Sequence, residues 1–245
     1  MSTADSQTPS PTPSTTVTTF AQRLDAVQAR IERACAAAGR DAAEVTLLPV
    51  SKTFDADVIR EAVGLGLKRF GENRLQEIAQ KAPLLEDCNV QWVVIGHVQT
   101  NKAKEVAKYA SELQSLDRLA LAEALDQRLK AAGRTLDVLV QLKTSPEESK
   151  FGLDPAELIG FLETLSGFET LRVKGLMTMA VLSDDQAAVR ACFEKLRDCR
   201  DQAARHQIKG ISLERLSMGM SGDLEWGIAE GSTEVRVGSA LFGKR

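Results

Sequence analysis

Lys52 ends an apolar, β-branched run, Val45-Thr46-Leu47-Leu48-Pro49-Val50-Ser51, and has no acidic residue immediately beside it. Such a run reads as a buried strand. A lysine at its end can sit partly desolvated, which favours the neutral amine, a nucleophile toward carbonyls. The plainer alternative is a solvated lysine in a strand-to-helix loop. Two later stretches complement an amine: Ser217-Met218-Gly219-Met220-Ser221-Gly222 and Gly238-Ser239 combine small hydroxyls with glycines. Glycine lets backbone N–H groups approach an anion closely, although turn geometry alone also selects these residues. Arg236 precedes the second stretch. A buried arginine stays protonated, so it could hydrogen-bond a ring nitrogen and keep that nitrogen unprotonated. Its other use is an ion pair with Glu234 or Glu230. A phosphate site facing an amine points to a phosphorylated aldehyde, and the cofactor of that description is pyridoxal 5′-phosphate held as a lysine imine.

These residues need elements to place them. Leu24, Val27, Ile31, Ala34 and Cys35 recur at helical spacing from Phe20 and stop at Gly39, which predicts a leader helix. An alternation of strand and helix then begins. Strands are expected at Val45–Lys52, Arg69–Gly71, Val90–Ile95, Leu113–Leu116, Leu136–Leu142, Leu171–Met179, Leu213–Ser217 and Glu234–Val237. The intervening helices are expected at Ala56–Leu65, Leu75–Lys81, Asn101–Lys108, Arg118–Ala132, Ala156–Leu165, Gln186–His206 and Leu224–Ala229. The strand at Leu113–Leu116 carries the weakest pattern. Eight strands alternating with helices in 245 residues predict a (β/α)₈ TIM barrel, with an open doubly wound sheet as the competitor. No Gly-x-Gly-x-x-Gly follows the first strand, and there is no Walker-type phosphate loop. In a barrel, chemistry gathers where the C-terminal strand ends meet, and phosphate often binds after strands seven and eight. Lys52, Asn73, Gly96-His97, Met177-Thr178-Met179, Ser217 to Ser221, and Arg236 with Gly238-Ser239 all fall at such ends.

Composition excludes several function classes. A net charge of −3 gives no general attraction to nucleic acid, and Glu105 interrupts the Lys102, Lys104, Lys108 run, which reads as a solvated helix face. Two histidines cannot build a histidine-rich metal site. Cys35, Cys88, Cys192 and Cys199 form no Cys-x-x-Cys pair and read as reduced structural thiols. Apolar runs are too short for a signal peptide or membrane span, so a cytoplasmic protein is expected. Met1 to Thr19 is rich in Ser, Thr and Pro and reads as a disordered tail ahead of a single domain over residues 20–245.

The strand-end motifs also resemble a known family, the pyridoxal-phosphate homeostasis proteins of the YggS or PROSC type. The matching residues are Val50-Ser51-Lys52-Thr53, Phe70-Gly71-Glu72-Asn73 with Gln76-Glu77, and Trp92 with Ile95 through Lys102. Further along they are Ser149-Lys150-Phe151-Gly152, Gly175 through Met179, Leu216 through Ser221, and Gly231 through Gly238 to Phe242-Gly243. Together they run in order from about Val45 to Gly243. The resemblance implies a barrel like the N-terminal domain of alanine racemases, an imine on Lys52, phosphate contacts from Ser217, Gly238 and Ser239, and a ring-nitrogen contact from Arg236. It further implies that Asn73 and Met177 line the pocket, and that the role is cofactor carriage in amino- and keto-acid balance, with apo-enzymes as recipients. Ser239 stands where threonine is frequent, and Glu225-Trp226-Gly227 replaces a more alanine-rich helix.

The rival readings are a racemase or decarboxylase using the same cofactor, and a lysine-dependent aldolase without one. Two-base racemisation needs an acid opposite the lysine. The one tyrosine, Tyr109, precedes strand four and is expected on the rim away from Lys52. His97 is the remaining acid–base candidate, with a structural hydrogen-bonding role as the alternative. His206, at a helix C-terminus, suits the helix dipole. The few residues after strand eight leave no room for a covering or dimerising domain, so a monomeric carrier without efficient turnover is expected.

Overall fold

The computed structural model describes residues 18–146 and 151–243. Among the described residues, eight strands form one sheet in which every pairing is parallel. They are β1 (Thr46–Pro49), β2 (Arg69–Glu72), β3 (Gln91–Val94), β4 (Ala110–Leu116), β5 (Leu136–Gln141), β6 (Leu171–Met177), β7 (Arg215–Met220) and β8 (Glu234–Val237). Their order is β1-β8-β7-β6-β5-β4-β3-β2, and a bridge between Val50 and Gly71 joins the two outer strands, so the sheet curls into a nearly closed barrel. Helices α1 (Phe20–Ala37), α2 (Ala56–Gly64), α3 (Leu75–Lys81), α4 (Ala103–Tyr109), α5 (Leu119–Ala132), α6 (Leu158–Leu165), α7 (Gln186–Ala204), α8 (Leu224–Ala229) and α9 (Ser239–Phe242) surround it. The expected TIM barrel with a leader helix is the fold found, and the open doubly wound sheet is not.

Several boundaries differ for physical reasons. Thr19, expected in the tail, is the N-cap of α1: Gln22 N donates to its hydroxyl at 3.2 Å, and its own amide donates to the Gln22 side chain at 2.9 Å. This is a reciprocal capping box. The remainder of the expected tail, residues 1–17, lies outside the described residues. The weakly patterned fourth strand is as long as any, seven residues, because its polar side chains face a polar barrel interior. The short helix α9 and a 3₁₀ stretch, Ala82–Cys88, carry no strong periodic pattern and were not expected.

Outward-facing apolar side chains form the main core between sheet and helices, while Leu48, Val50, Val93 and Ile95 form a separate apolar cluster. Gly71 faces that cluster, since an added Cβ would lie 3.3 Å from Val50 and 3.4 Å from Ile95 and Leu48. The same face of β2, two residues earlier, carries Arg69 into a charged barrel floor. Arg69 donates to Glu112 at 2.8 Å and Glu234 at 3.0 Å, and Arg215 donates to Glu112 at 2.9 Å and Glu234 at 2.6 Å. Two cations and two carboxylates thus alternate around a ring contributed by β2, β4, β7 and β8. Gly175 makes room above it, because a Cβ there would fall 1.9 Å from the Arg215 carbonyl oxygen.

Burial alone would raise the Glu112 pKa, but hydrogen bonds and charge from Arg215 and Arg69 outweigh it and hold the carboxyl below its usual range. Burial likewise acts to lower Arg215, and Glu234 and Glu112 more than offset it. The arginine side chains keep 27% and 26% exposure, so the cost of breaking the ring is less than for a wholly buried pair. Glu112→Gln should destabilise the fold by about 2–4 kcal/mol at neutral pH, measured by denaturant unfolding. A depressed carboxylate contributes stability above its unfolded pKa and loses it as pH falls through the folded one. The gap between wild type and Glu112→Gln should therefore narrow below about pH 4; a pH-independent gap would show that the ring charge is not the cause.

Candidate functional site

The strand register sets what meets at the C-terminal mouth. Leu48 of β1 pairs with Arg236 of β8, and Pro49 pairs with Val237. The Val50 amide donates to Val237 O at 2.9 Å, and a Cβ on Gly238 would lie 3.3 Å from Val50 O. The chain segment leading into Lys52 is consequently packed against Gly238 and the start of α9. On its other side, Ser51 N donates to Gly71 O at 3.0 Å, which places Asn73 beyond the end of the adjacent strand. Lys52, Asn73 and Ser239 are exposed, and Gly238 and Ser221 are half-buried.

Lys52 takes the plainer placement, that of a solvated lysine in the strand-to-helix loop. The apolar strand ends at Pro49 and the bridge at Val50, so Lys52 lies in a turn where Phe54 N donates to Ser51 O at 3.1 Å. The turn is nonetheless well supported from beneath. Lys81 of α3, itself buried, donates to Ser51 O at 3.0 Å, Glu72 Oε1 at 2.7 Å and Glu77 Oε2 at 3.2 Å. Ser51 Oγ donates to the same Glu72 oxygen at 2.7 Å, and Glu77 Oε2 accepts from Thr53 N at 2.5 Å.

Arg236 is 4% exposed. It donates to Ser217 O at 2.7 Å, Ser217 Oγ at 2.8 Å and Thr178 O at 2.8 Å. A guanidinium has five N–H groups, so two remain for a ligand. Burial is the main influence on its pKa and lowers it to about 10, against an opposing pull from Glu234 and Asp223, and at neutral pH the group stays a cation. The alternative of a surface ion pair with Glu234 or Glu230 does not apply. Glu234 bonds the arginines of the floor, and Glu230 bonds Arg190 and Arg197 at 2.8 and 2.5 Å.

Ser217 lies deeper than the other anion-type residues. It was expected among the phosphate contacts, yet it is wholly buried and its hydroxyl faces Gln114 Oε1 at 2.7 Å and Glu234 Oε1 at 3.1 Å while accepting from Arg236. It therefore links the charged floor to Arg236. Gln114 Nε2 bonds Glu112 at 2.7 Å, completing the connection. Met177, paired with Ser217 in register, is also fully buried and belongs to the wall beneath the mouth. Thr178 adds to that wall, donating to Leu142 O at 2.9 Å with Thr144 Oγ1 at 2.8 Å.

The anion-type loops are clamped by the leader helix. Arg30 of α1 bonds Glu225 with two N–H groups at 2.8 and 2.9 Å and donates to Ser221 O at 3.1 Å. Arg23 donates to Leu241 O, and the Phe20 and Phe54 rings flank Phe242 at centroid distances of 5.2 and 5.0 Å. Burial pushes the Glu225 carboxyl up, and Arg30 more than compensates, leaving it lowered. What these loops offer an anion is the half-buried Ser221 and Gly238, and Ser239 with the Ser239 and Ala240 amides that open α9, since the Leu241 and Phe242 amides already donate to Gly238 O at 2.9 Å.

His97 is exposed at the end of β3, stacked on Phe151 with centroids 3.8 Å apart and 14° between planes, and its Nδ1 lies 3.6 Å from Asp117. Gly96 is required beside it, since a Cβ there would fall 2.1 Å from Asn73 O. Tyr109 ends α4 just before β4, on the rim opposite Lys52, with Lys108 over its ring at 4.6 Å. Ser149 and Lys150 of the Ser-Lys-Phe-Gly motif lie outside the described residues. No group of His, Cys, Asp and Glu among the described residues could hold a metal ion, and no helix among them is long and apolar enough to cross a membrane.

The sequence pattern did not single out Glu72, Lys81, Gln114 or the floor charges as functional residues. A detectable signal existed for the last two: Glu112 and Gln114 alternate on one face of a strand, which in a closed barrel means a polar interior.

Comparisons with known proteins agree with this arrangement. A family profile for the alanine racemase N-terminal domain matches residues 22–245. A pyridoxal phosphate homeostasis protein of Pseudomonas aeruginosa is 41% identical over 229 residues, covering 94% of this chain and 97% of the relative. One from Aquifex aeolicus is 40% identical over 224 residues, covering 91% and 97%. The solved structure of PipY from Synechococcus elongatus with PLP bound superposes with a TM-score of 0.81 at 35% identity, covering 92% of this chain and all (100%) of that one. An alanine racemase of Clostridium difficile shares the fold with a TM-score of 0.71 at 14% identity, and the match spans 56% of its length. The chain therefore belongs to the alanine racemase N-terminal domain family and, within it, to the pyridoxal phosphate homeostasis proteins.

Proposed function

We propose that this chain binds pyridoxal 5′-phosphate, with Lys52 holding it as an imine, and that it stores or delivers the cofactor without efficient turnover of amino acids. The observation that carries the reading is the pairing of β1 with β8. It puts the Lys52 turn beside Gly238 and Ser239 at one end of the barrel, with the Arg236 guanidinium in the wall beneath. The donor set fits the cofactor: an amine for its aldehyde, small hydroxyls and backbone amides for its phosphate, and two uncommitted N–H groups for its ring nitrogen. The relatives' names and the PLP-bound PipY structure support the same assignment.

When bound, the cofactor supplies an electrophilic carbonyl and a conjugated ring able to act as an electron sink. The chain's own residues do the remainder. Ser221, Gly238 and Ser239 bind the phosphate, and Asn73 and Met177 bound the pocket. Arg236 keeps a permanent positive charge at the ring nitrogen, and a nitrogen accepting from a protonated arginine does not itself take a proton. That weakens the electron sink and favours storage over catalysis. The sole tyrosine of the chain sits on the far rim, so it supplies no acid opposite Lys52. We further read residues 20–245 as one cofactor-binding unit, acting as a cytoplasmic monomer whose partners are pyridoxal phosphate and the apo-enzymes that receive it. Sedimentation of the loaded protein checks the monomer, and a dimer mass would contradict it.

Purified protein incubated with pyridoxal phosphate, reduced with borohydride and mapped by peptide mass should carry the label on Lys52, and Lys52→Ala should carry none. Label elsewhere, or no uptake at all, sinks the reading and returns the aldolase alternative. Arg236→Met should leave Lys52 the labelled residue while weakening cofactor affinity about 10- to 100-fold in a spectroscopic titration, the loss of charged hydrogen bonds. Unchanged affinity would remove Arg236 from the site. Loaded protein given L-alanine should show no rapid loss of optical activity, whereas rapid racemisation would overturn the carrier role.

A further inference from the structure

The cluster beneath Lys52 poses a question that fold stability does not answer. Lys81, Glu72 and Glu77 bring one cation and two carboxylates together, with Glu72 0% and Lys81 8% exposed. Glu72 Oε2 is buried and has no hydrogen-bond partner. Burial raises the Glu72 pKa, and Lys81 and Ser51 offset this only in part. A buried polar atom without a partner is destabilising, and buried ion pairs are often matched or bettered by apolar side chains of similar volume. Stability alone is a weak reason for building this cluster.

Its hydrogen bonds point to a different purpose. The Lys81 ammonium has three N–H groups, given to Ser51 O, Glu72 and Glu77. Glu72 takes the Ser51 hydroxyl, and Glu77 takes the Thr53 amide. The residues on both sides of Lys52 are thus tied to α3 and the end of β2, while Ser51 N is tied to Gly71 O. Thr53 has φ of 69°, a left-handed conformation that is unfavourable for a β-branched residue and persists only where the surroundings impose it. The Glu77 carboxylate on its amide is such an imposition.

We infer that Lys81, with Glu72 and Glu77, is a positioning residue for Lys52: the cluster fixes the backbone of residues 51–53 and so aims the amine at the carbonyl it must capture. This rests on the reading of Lys52 as the residue that holds pyridoxal phosphate. The side chain of Lys52 is exposed and flexible, so its anchored Cα is what keeps the amine within reach of a phosphate seated at Gly238 and Ser239. Misplacement of a reacting group by about 1 Å can cost on the order of 100-fold in rate.

The test compares wild type with Lys81→Met and with the near-isosteric Glu72→Gln. Three quantities are measured: the rate of pyridoxal phosphate attachment at Lys52 by absorbance and borohydride trapping, the affinity for pyridoxine phosphate, which lacks the aldehyde, and amide hydrogen exchange of residues 51–54 in cofactor-free protein. The expected result is attachment slowed between about 10- and 100-fold in Lys81→Met, pyridoxine phosphate affinity within about twofold of wild type, and faster exchange confined to residues 51–54. Wild-type attachment rates in both variants overturn the inference. A parallel loss of attachment and pyridoxine phosphate affinity also overturns it, since that marks general damage to the site. Should Lys81→Met fail to fold, Glu72→Gln is held to the same outcomes. If wild type itself is not labelled at Lys52, the proposed function fails, an outcome distinct from normal attachment in the variants.

Discussion

The structure depends on keeping charge buried inside a nearly closed parallel barrel. Such a barrel leaves little free edge, but its interior must be filled, most often by branched aliphatic side chains in layers. Here only the side lined by Leu48, Val50, Val93 and Ile95 follows that pattern. The floor is the ring of Arg69, Glu112, Arg215 and Glu234, whose members come from four strands. Each carboxylate accepts from both arginines, so a strand displaced by one residue would turn its charge out of the barrel and leave its partners uncompensated. The ring is in this sense a register lock for strands that are far apart in the chain.

That lock extends upward to the mouth. Gln114 joins the two floor carboxylates, Ser217 joins Gln114 and Glu234 to Arg236, and Arg236 fastens the Thr178 carbonyl at the end of β6. A guanidinium that would otherwise cost much to bury is held by two backbone carbonyls and by a hydroxyl that itself bonds the floor. Support from outside complements this. Helix α3 holds the turn after β1, and α1 holds the loops after β7 and β8 through Arg30, Arg23 and Phe20. The amine side and the anion side of the mouth are braced by different helices, and the strand pairing of β1 with β8 joins them.

The barrel itself was legible in the sequence because its signals are local. Short strand-like stretches alternating with amphipathic ones mark every strand, the fourth most weakly, and all the longer helices. Lys52, Arg236, Gly238 and Ser239 were also legible, as residues whose types are uncommon at the ends of apolar strands. Thr19 was misassigned because its capping partner, Gln22, lies inside the helix it begins. The exposure of Lys52 was left open by the sequence, because a strand's apolar pattern says where a chain is covered, not which residue of the following turn emerges. The depth of Ser217 was hidden for a related reason: the bulge between Ser217 and Met220 separates what the sequence presents as one hydroxyl-rich loop. Lys81 read as an ordinary residue in the last turn of a short helix, and its three acceptors lie up to 30 residues away in sequence. Nothing in a single sequence encodes that meeting.

The placements of Lys52 and Ser217 bear on the proposed carrier reading in the same direction. A catalyst of amino-acid chemistry gains from excluding water around the reacting amine, because proton movements are then confined to positioned groups. Lys52 instead stands exposed on a turn whose backbone is fixed, with Asn73 and Ser239 exposed beside it. In the proposed carrier role the fixed backbone favours capture of an aldehyde seated by its phosphate, and access of water favours its release. Ser217 lies in the wall with its hydroxyl accepting from Arg236, while Ser221 is half-buried and Ser239 exposed. Strong placement of the amine combined with open surroundings is what reversible storage requires, and it is a poor starting point for abstracting a proton from an amino acid.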